Sequence, residues 1–118
     1  MRVSLIDSLR DVPAAAWDAL TGANDPFAEH AFLLALEESG AVGHAAGWIT
    51  RHVTVWDRDR LCGAMPLYEK SHSYGEFIFD WAWADASHRL REPYYPKLVS
   101  MIPLTPATGR RLLMADDI

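Results

Sequence analysis

Residues 52–68 read HVTVWDRDRLCGAMPLY, and this stretch decides the fold class. Val53 and Val55 point one way and their neighbours point the other, which is the period of a β-strand. A polar turn, DRDR, follows, and a return strand is predicted over Leu61–Tyr68. Pro66 interrupts that strand because proline has no N–H to donate, so it marks an edge, a bulge or the mouth of a groove. The sequence therefore predicts a β-hairpin at the centre of the chain.

Helical and strand-like segments flank the hairpin, which indicates a mixed α+β fold. The predicted elements are a strand at 3–9, a helix capped by Asp11 and ended by Gly22, a helix at 29–39, a strand at 76–79, a helix at 81–90 capped by Asp80, a buried strand at 97–102 and a helix from Arg110 onward. No repeat or linker divides the chain, so residues 1–118 are expected to form one domain or a fragment of one.

Composition excludes several classes of protein. With 118 residues, 50% of them hydrophobic, the chain can bury a core without a disulfide or a metal. Its net charge of −5 argues against a DNA-binding protein, because no basic stripe is available for phosphates. The single cysteine, Cys62, excludes an internal disulfide. No secretory signal and no span of about 20 apolar residues is evident, so a soluble, cytoplasmic protein without a membrane span is expected.

The loop at 71–76, SHSYGE, carries the densest set of reactive side chains. His72 and Glu76 are the candidate catalytic residues, since imidazole and carboxylate are the usual general bases near neutral pH. Their spacing would suit a metal on a helix, but Gly75 disfavours a helix and no third ligand follows, so no metal is predicted. The loop is predicted to line a groove and to recognise a polar substrate through Ser71, Ser73 and Tyr74. The alternative is a loop that hydrogen-bonds to itself and fixes its own shape.

Two further segments offer candidate substrate-binding residues. Asp80 and Trp81 either line a groove or serve as a helix cap and a packing residue. Tyr95 and Lys97 place a phenol and an ammonium just before a strand, where Lys97 can meet a carboxylate or phosphate. A lone basic residue is more often simply a surface lysine. Both interpretations stay open for each pair.

The stretch TPATGRR at 105–111 has the composition of a phosphate site. It is predicted to follow a strand and precede a helix, whose first N–H groups attract anions. The candidate cofactor-binding residues are Thr108, Gly109, Arg110 and Arg111. The stretch lacks the Gly-Lys-Ser/Thr ending of a P-loop, so a nucleoside triphosphatase is not expected. Many strand–loop–helix junctions contain a glycine without binding anything.

Several ordered blocks of sequence resemble a known family. They are PF..H.FL.ALE.SG within 26–40, GAMPLY at 63–68, KSHSYGEF at 70–77, FDW at 79–81, YYPKL at 94–98 and P.TP..G.RLL at 103–113, where dots stand for positions outside the resemblance. Together they resemble the bacterial FemAB-like family of peptidoglycan biosynthesis or recognition, also described as predicted N-acyltransferases. The resemblance covers about residues 26–113, and the SHSYGE block is its most specific part.

The resemblance implies a GNAT-type acyltransferase fold, with a largely antiparallel sheet that opens around a groove and helices on its flanks. An acyl-CoA or an aminoacyl-tRNA would be the co-substrate, and an amine would be the acceptor. Members of the family are longer and carry two GNAT-like halves, and this chain resembles the first half. The expected partner is therefore a C-terminal GNAT-like half, with a homodimer as the alternative, and the chain alone is expected to be inactive.

The leading functional hypothesis is an N-acyltransferase domain linked to peptidoglycan, with Glu76 or His72 as the base or its orienting partner. The alternative is a recognition or structural half-domain that binds a cell-wall precursor or its partner half without catalysis. A metal-dependent hydrolase that uses His72 and Glu76 is a weaker third reading.

Overall fold

The fold contains two antiparallel sheets. The computed structural model describes residues 1–22, 25–76, 80–105 and 110–117, except for the Trp81 side chain. In that part of the chain, the four-stranded sheet has the order β1-β3-β4-β7 and the three-stranded sheet has the order β2-β5-β6. The strands are β1 (Arg2–Ile6), β2 (Trp48–Thr50), β3 (His52–Asp57), β4 (Arg60–Met65), β5 (Tyr68–Lys70), β6 (Lys97–Val99) and β7 (Leu113–Met114).

Helices complete the architecture. Within the described ranges the α-helices are α1 (Ala14–Thr21), α2 (His30–Glu38) and α3 (Trp81–Arg89), and short 3-10 turns lie at Leu9–Asp11 and Pro26–Ala28. The predicted mixed α+β class is therefore confirmed.

The central hairpin contributes to both sheets. Its outer part pairs β3 with β4 in the four-stranded sheet, and its base pairs β2 with β5 in the three-stranded sheet. Arg51 lies between β2 and β3, and its N–H donates to the carbonyl of Leu67 at 2.9 Å. Pro66 lies opposite this break, between β4 and β5. The interruption predicted at Pro66 is confirmed, and it is the place where the two sheets diverge.

The alternation in β3 is confirmed, but the side turned to the core is the polar one. His52 and Thr54 are fully buried, whereas Val53 and Val55 are partly exposed. His52 Nδ1 accepts the Leu67 N–H at 3.0 Å, and Thr54 Oγ1 donates to the Ser4 carbonyl at 3.2 Å. These bonds offset the cost of burying polar groups.

The main core lies between the inner face of the four-stranded sheet and the helices α1 and α2. Its fully buried members include Trp17, Leu33 and Leu113. The indole N–H of Trp17 donates to the carbonyl of Ala28 at 2.8 Å, which ties α1 to the turn before α2. A smaller core of Val42, Trp48 and Tyr68 lies beside the three-stranded sheet.

The opposite face of the four-stranded sheet is apolar and open. The register places Val3 opposite Val55 and Leu5 opposite Val53, and continues across β4 to Met114. A groove of about 280 Å³ runs along this face. We call this surface the outer sheet face; it comprises Val3, Leu5, Val53, Val55, Gly63, Met65 and Met114.

Three boundary predictions near the ends of elements are wrong. The first strand ends at Ile6, because Ser8 accepts the N–H of Arg10 at 3.1 Å and starts the 3-10 turn at Leu9. Helix α1 is capped at Pro13 and not at Asp11, which belongs to that turn. The strand predicted at 97–102 stops at Val99 and is partly exposed rather than buried.

The helix predicted from Arg110 onward is also wrong, because the described residues there form strand β7. Leu113 pairs with Ala64 and buries its side chain in the main core. Pairing with the open edge of β4 satisfies the backbone of this segment, which leaves no reason for a helix. Of the strand predicted at 76–79, Glu76 lies in a bend, and residues 77–79 are outside the described residues.

Candidate functional site

A group of buried and opposite charges gathers at one end of the three-stranded sheet. Lys70 ends β5, and Lys97 begins β6 directly opposite it in the antiparallel register. Directly opposed residues project from the same face of a sheet, so the two ammonium groups come together. Glu76, at the end of the loop after β5, and Asp80, which precedes α3, supply the compensating carboxylates.

The four charges alternate in sign. Lys70 Nζ lies 2.5 Å from Glu76 Oε2, Lys97 Nζ lies 3.0 Å from Glu76 Oε1, and Lys97 Nζ lies 2.5 Å from Asp80 Oδ2. Side-chain exposure rises along this series: 0% for Lys70, 10% for Glu76, 14% for Lys97 and 16% for Asp80. The group is therefore sealed at Lys70 and opens toward solvent at Asp80. We call it the lysine–carboxylate cluster.

Hydroxyl groups extend the cluster on its more open side. Ser73 Oγ accepts a hydrogen bond from Lys97 Nζ at 2.9 Å and shares another with the Tyr95 hydroxyl at 2.5 Å. The Tyr94 hydroxyl donates to Asp80 Oδ2. The Lys97 ammonium also lies 5.5 Å and 5.7 Å from the ring centroids of Tyr94 and Tyr95, within cation–π range.

The two lysines experience opposite electrostatic effects. Burial lowers the pKa of Lys70, and its hydrogen bond to Glu76 offsets only part of that effect. Lys70 Nζ also donates to the carbonyl of Tyr74 at 2.5 Å and lies 3.9 Å from the ring centroid of Trp48. For Lys97, burial is outweighed by the hydrogen bonds to Asp80 and Glu76, so its pKa is raised.

Asp80 is held in its ionised form. Burial tends to raise the pKa of its carboxyl, but hydrogen bonds from Lys97, Ser73 and Tyr94 hold it well below its usual range. Asp80 occupies the predicted N-cap position of α3, but its side chain makes no capping hydrogen bond there. Its second oxygen, Oδ1, is buried and has no hydrogen-bond partner among the described residues. This carboxylate therefore carries one buried oxygen whose hydrogen-bonding capacity is not used by the described residues.

Of the residues predicted from sequence, the structure brings five together: Ser73, Glu76, Asp80, Tyr95 and Lys97. It adds Lys70 and Tyr94, which the sequence reasoning did not select as site residues. The signal for Lys70 was the period-two alternation in β5, which puts it on the same buried face as Tyr68.

His72 and Ser71 lie outside the cluster and join the loop to the preceding turn. His72 Nε2 lies 2.8 Å from the Ala46 carbonyl, and Nδ1 accepts the Tyr74 N–H at 3.1 Å. The Ser71 N–H donates to the carbonyl of Gly47 at 3.4 Å. Both ring nitrogens of His72 thus hold backbone groups, which favours the self-bonded-loop interpretation for this residue. Tyr74 is largely exposed.

The remaining predicted site residues are Trp81, Thr108, Gly109, Arg110 and Arg111, and their role stays a prediction. Thr108 and Gly109 lie outside the described residues, as does the Trp81 side chain. Arg110 and Arg111 precede strand β7, so the helix N-terminus that was to attract a phosphate is missing. An anion site there would rest on the arginine charges and remains a prediction.

The described residues contain no group of three His, Cys, Asp or Glu side chains placed to hold a metal ion. None of the helices in the same ranges has the length and apolar content that crossing a bilayer requires.

Comparison with known families decides the affiliation of the chain. A family model described as FemAB-like, for peptidoglycan biosynthesis or recognition, matches residues 8–118. The chain belongs to this family. The matched residues include every member of the lysine–carboxylate cluster. Membership of the FemAB-like family implies a role related to peptidoglycan. Comparison with curated proteins and with solved structures gives no match.

Proposed function

We propose that this FemAB-like chain provides the amine-acceptor site of a peptidoglycan-linked N-acyltransferase, with a GNAT-type fold. The observation that carries the proposal is the lysine–carboxylate cluster with its unpartnered oxygen, Asp80 Oδ1. An acyl-CoA or an aminoacyl-tRNA would supply the acyl group. The divergence of the two sheets at Pro66 supports the GNAT-type reading, because that fold opens its sheet around the groove where the donor enters.

The residues on the open side of the cluster suit acyl transfer. The acceptor amine attacks the acyl carbonyl, a C–N bond forms, and the bond to the donor's leaving group breaks. Asp80 Oδ1 would accept a hydrogen bond from the amine and fix its position. The Tyr95 hydroxyl would donate toward the carbonyl oxygen as negative charge develops there, and the nearby Lys97 ammonium would add its positive charge.

Glu76 is the candidate for receiving the amine's proton. Both of its oxygens now accept from ammonium groups, so it gains basic capacity only when one of them is released. Lys97 is the more exposed of the two ammonium groups, so its release of Oε1 would leave that oxygen of Glu76 to accept the proton of the amine.

The test is transfer to an amine by the full-length protein that contains this chain. A soluble muramyl pentapeptide with a free side-chain amine is mixed with acetyl-CoA or with an aminoacyl-tRNA, and the product is followed by mass spectrometry. Asp80→Asn should abolish most of the transfer while the protein remains folded. The matched control is Asp85→Asn, since Asp85 lies on the same helix in an exposed pair with Arg89 at 2.8 Å. Equal transfer by the Asp80 and Asp85 variants would contradict the proposal.

A second function, a recognition or structural role without catalysis, is favoured by one observation. The two oxygens of Glu76 and one oxygen of Asp80 are already occupied by lysines, as in a cluster that stabilises a fold. Calorimetry with the same muramyl pentapeptide distinguishes the two functions. Binding that needs Asp80, with no transfer from either donor, would support recognition.

A further inference from the structure

A charged cavity opens where the two sheets diverge, and none of its lining residues belongs to the lysine–carboxylate cluster. Its volume is about 530 Å³. Thr50 and Arg51 form one wall at the break between β2 and β3, and Asp7 follows the end of β1. Glu37, near the end of α2, and His44, in the turn before β2, close the other sides.

Glu37 gives the cavity a partly buried negative charge. One oxygen, Oε2, accepts the N–H of Leu9 at 3.0 Å, which fixes the carboxylate in place. Its other oxygen makes no hydrogen bond to the described residues. Nearby, the buried hydroxyl of Tyr68 has no partner among those residues, and burial together with the charge of Glu37 raises the pKa of that phenol. Tyr68 does not line the cavity, so the second carboxylate oxygen of Glu37 is the acceptor that a ligand there could use.

Two arginines, Arg10 and Arg51, belong to the same lining as Glu37. Arg51 donates to Asp7 at 3.1 Å and to the Thr50 carbonyl at 3.2 Å, and it lies 3.6 Å from a Glu69 oxygen. A guanidinium has five N–H donors, so some remain for another acceptor. Arg10 makes only an exposed contact with Glu38, at 3.4 Å. Exposed pairs of this kind are weak and exchange readily for a better partner.

We propose that this cavity binds a small zwitterion, namely a free amino acid or a short peptide. The ligand's ammonium would contact Glu37, and its carboxylate would contact Arg51, with Arg10 nearby. The cavity presents both signs of charge within a space large enough for a dipeptide. A ligand with one charge would leave one of the two walls unsatisfied, so the arrangement selects for both charges on one molecule. This inference does not depend on acyl transfer.

Diglycine is the probe, and amide resonances locate its binding. In a ¹H–¹⁵N titration of the whole protein, diglycine should shift the amides of Gly43, Thr50 and Arg51 in a saturable way. Acetylglycine lacks the ammonium and glycinamide lacks the carboxylate, so each should bind at least about tenfold more weakly, the equivalent of one lost charged hydrogen bond. Glycinamide binding as tightly as diglycine would overturn the proposal, and so would the absence of saturable shifts at these amides.

Two variants test the assignment of each charge. Glu37→Gln and Arg51→Gln should each weaken diglycine binding by about tenfold or more. The matched control is Glu29→Gln, because Glu29 is exposed at the start of the same helix and makes no side-chain capping bond. Wild-type affinity in both cavity variants would overturn the proposal. The comparison of diglycine with its singly charged analogues uses the wild-type protein, so it remains decisive if a variant fails to fold.

Discussion

Lys70 and Lys97 lie directly opposite each other on neighbouring strands, an arrangement that destabilises a sheet when no counter-charge is present. Glu76 offsets the repulsion between the two lysines, because one of its oxygens contacts each ammonium group. Lys70 is the fully buried member, so loss of Glu76 would leave it without its counter-charge, and a buried ion without a partner is strongly destabilising. The loop at 71–76 therefore stabilises the three-stranded sheet, in addition to any role in binding.

His52 makes the stability of the protein depend on pH. Burial lowers its pKa from 6.5 to about 3, so the unfolded chain takes up a proton at a higher pH than the native protein. The stabilisation is complete above pH 6.5 and is lost as the pH falls toward 3. We expect the free energy of unfolding to drop by roughly 1.4 kcal/mol for each pH unit from this residue alone.

Urea unfolding at a series of pH values measures this effect. His52→Asn keeps an acceptor for the Leu67 N–H but removes the titrating group, so its stability should vary less with pH between 5 and 6.5. His88→Asn, at an exposed position in α3, should keep the wild-type slope. Parallel slopes for the wild type and the His52 variant would contradict the prediction.

The loop between β5 and α3 is shaped by one glycine at a close contact. Gly75 has a φ of 82°, and a Cβ there would lie 2.4 Å from Leu104 Cδ2 and 3.1 Å from the Trp48 ring. Gly75→Ala should therefore displace the loop, weaken the placement of Glu76 and lower the melting temperature. Gly40→Ala is the matched control, since Gly40 has a φ of 79° and open space around its Cβ position.

Both alanine variants should lose a similar free energy of unfolding, about 1 to 2 kcal/mol, because alanine disfavours the left-handed backbone conformation. Any additional loss in the Gly75 variant measures the steric contact, and thermal unfolding of the two variants gives that difference directly. Equal losses would mean that the Trp48 and Leu104 side chains move aside without cost.

At the scale of elements, the sequence predicts what local rules determine. The hairpin follows from alternation, and the break at Pro66 follows from the missing N–H, so both could be predicted. Strand β7 could not, because its two residues carry no periodicity and only the open edge of β4 makes them a strand. For Lys70, alternation in β5 could indicate only that the side chain is buried. Its pairing with Lys97, 27 positions away in the chain, depends on the cross-strand register, which leaves no local signal.

At the scale of the whole molecule, the outer sheet face should drive self-association of this chain. Val3, Leu5 and Met114 are largely exposed on it, and contiguous apolar surface of this kind favours contact with another protein surface. Sedimentation across the micromolar range should show a mass that increases with concentration. Replacing Val3 and Leu5 with lysine should keep the chain monomeric.

Leu98→Lys is the control for that experiment. Leu98 is as exposed as Leu5 but lies on β6 in the other sheet, so its replacement should leave self-association unchanged. A wild-type chain that stays monomeric at every concentration would contradict the prediction. An effect of Leu98→Lys equal to that of the Val3 and Leu5 replacements would place the contact elsewhere.

Because one hairpin runs through both sheets, its two strands connect the sheets directly. The hairpin passes from one sheet to the other at Arg51 on one strand and at Pro66 on the other. The hydrogen bond from the Arg51 N–H to the Leu67 carbonyl links the two strands at this point. A change in the angle between the two sheets would therefore alter the hairpin at this point. The cavity lined by Arg51 lies at this point, so its width would change with the angle between the two sheets. Lys70 and Lys97 both lie in the three-stranded sheet, so their pairing would not change with that angle.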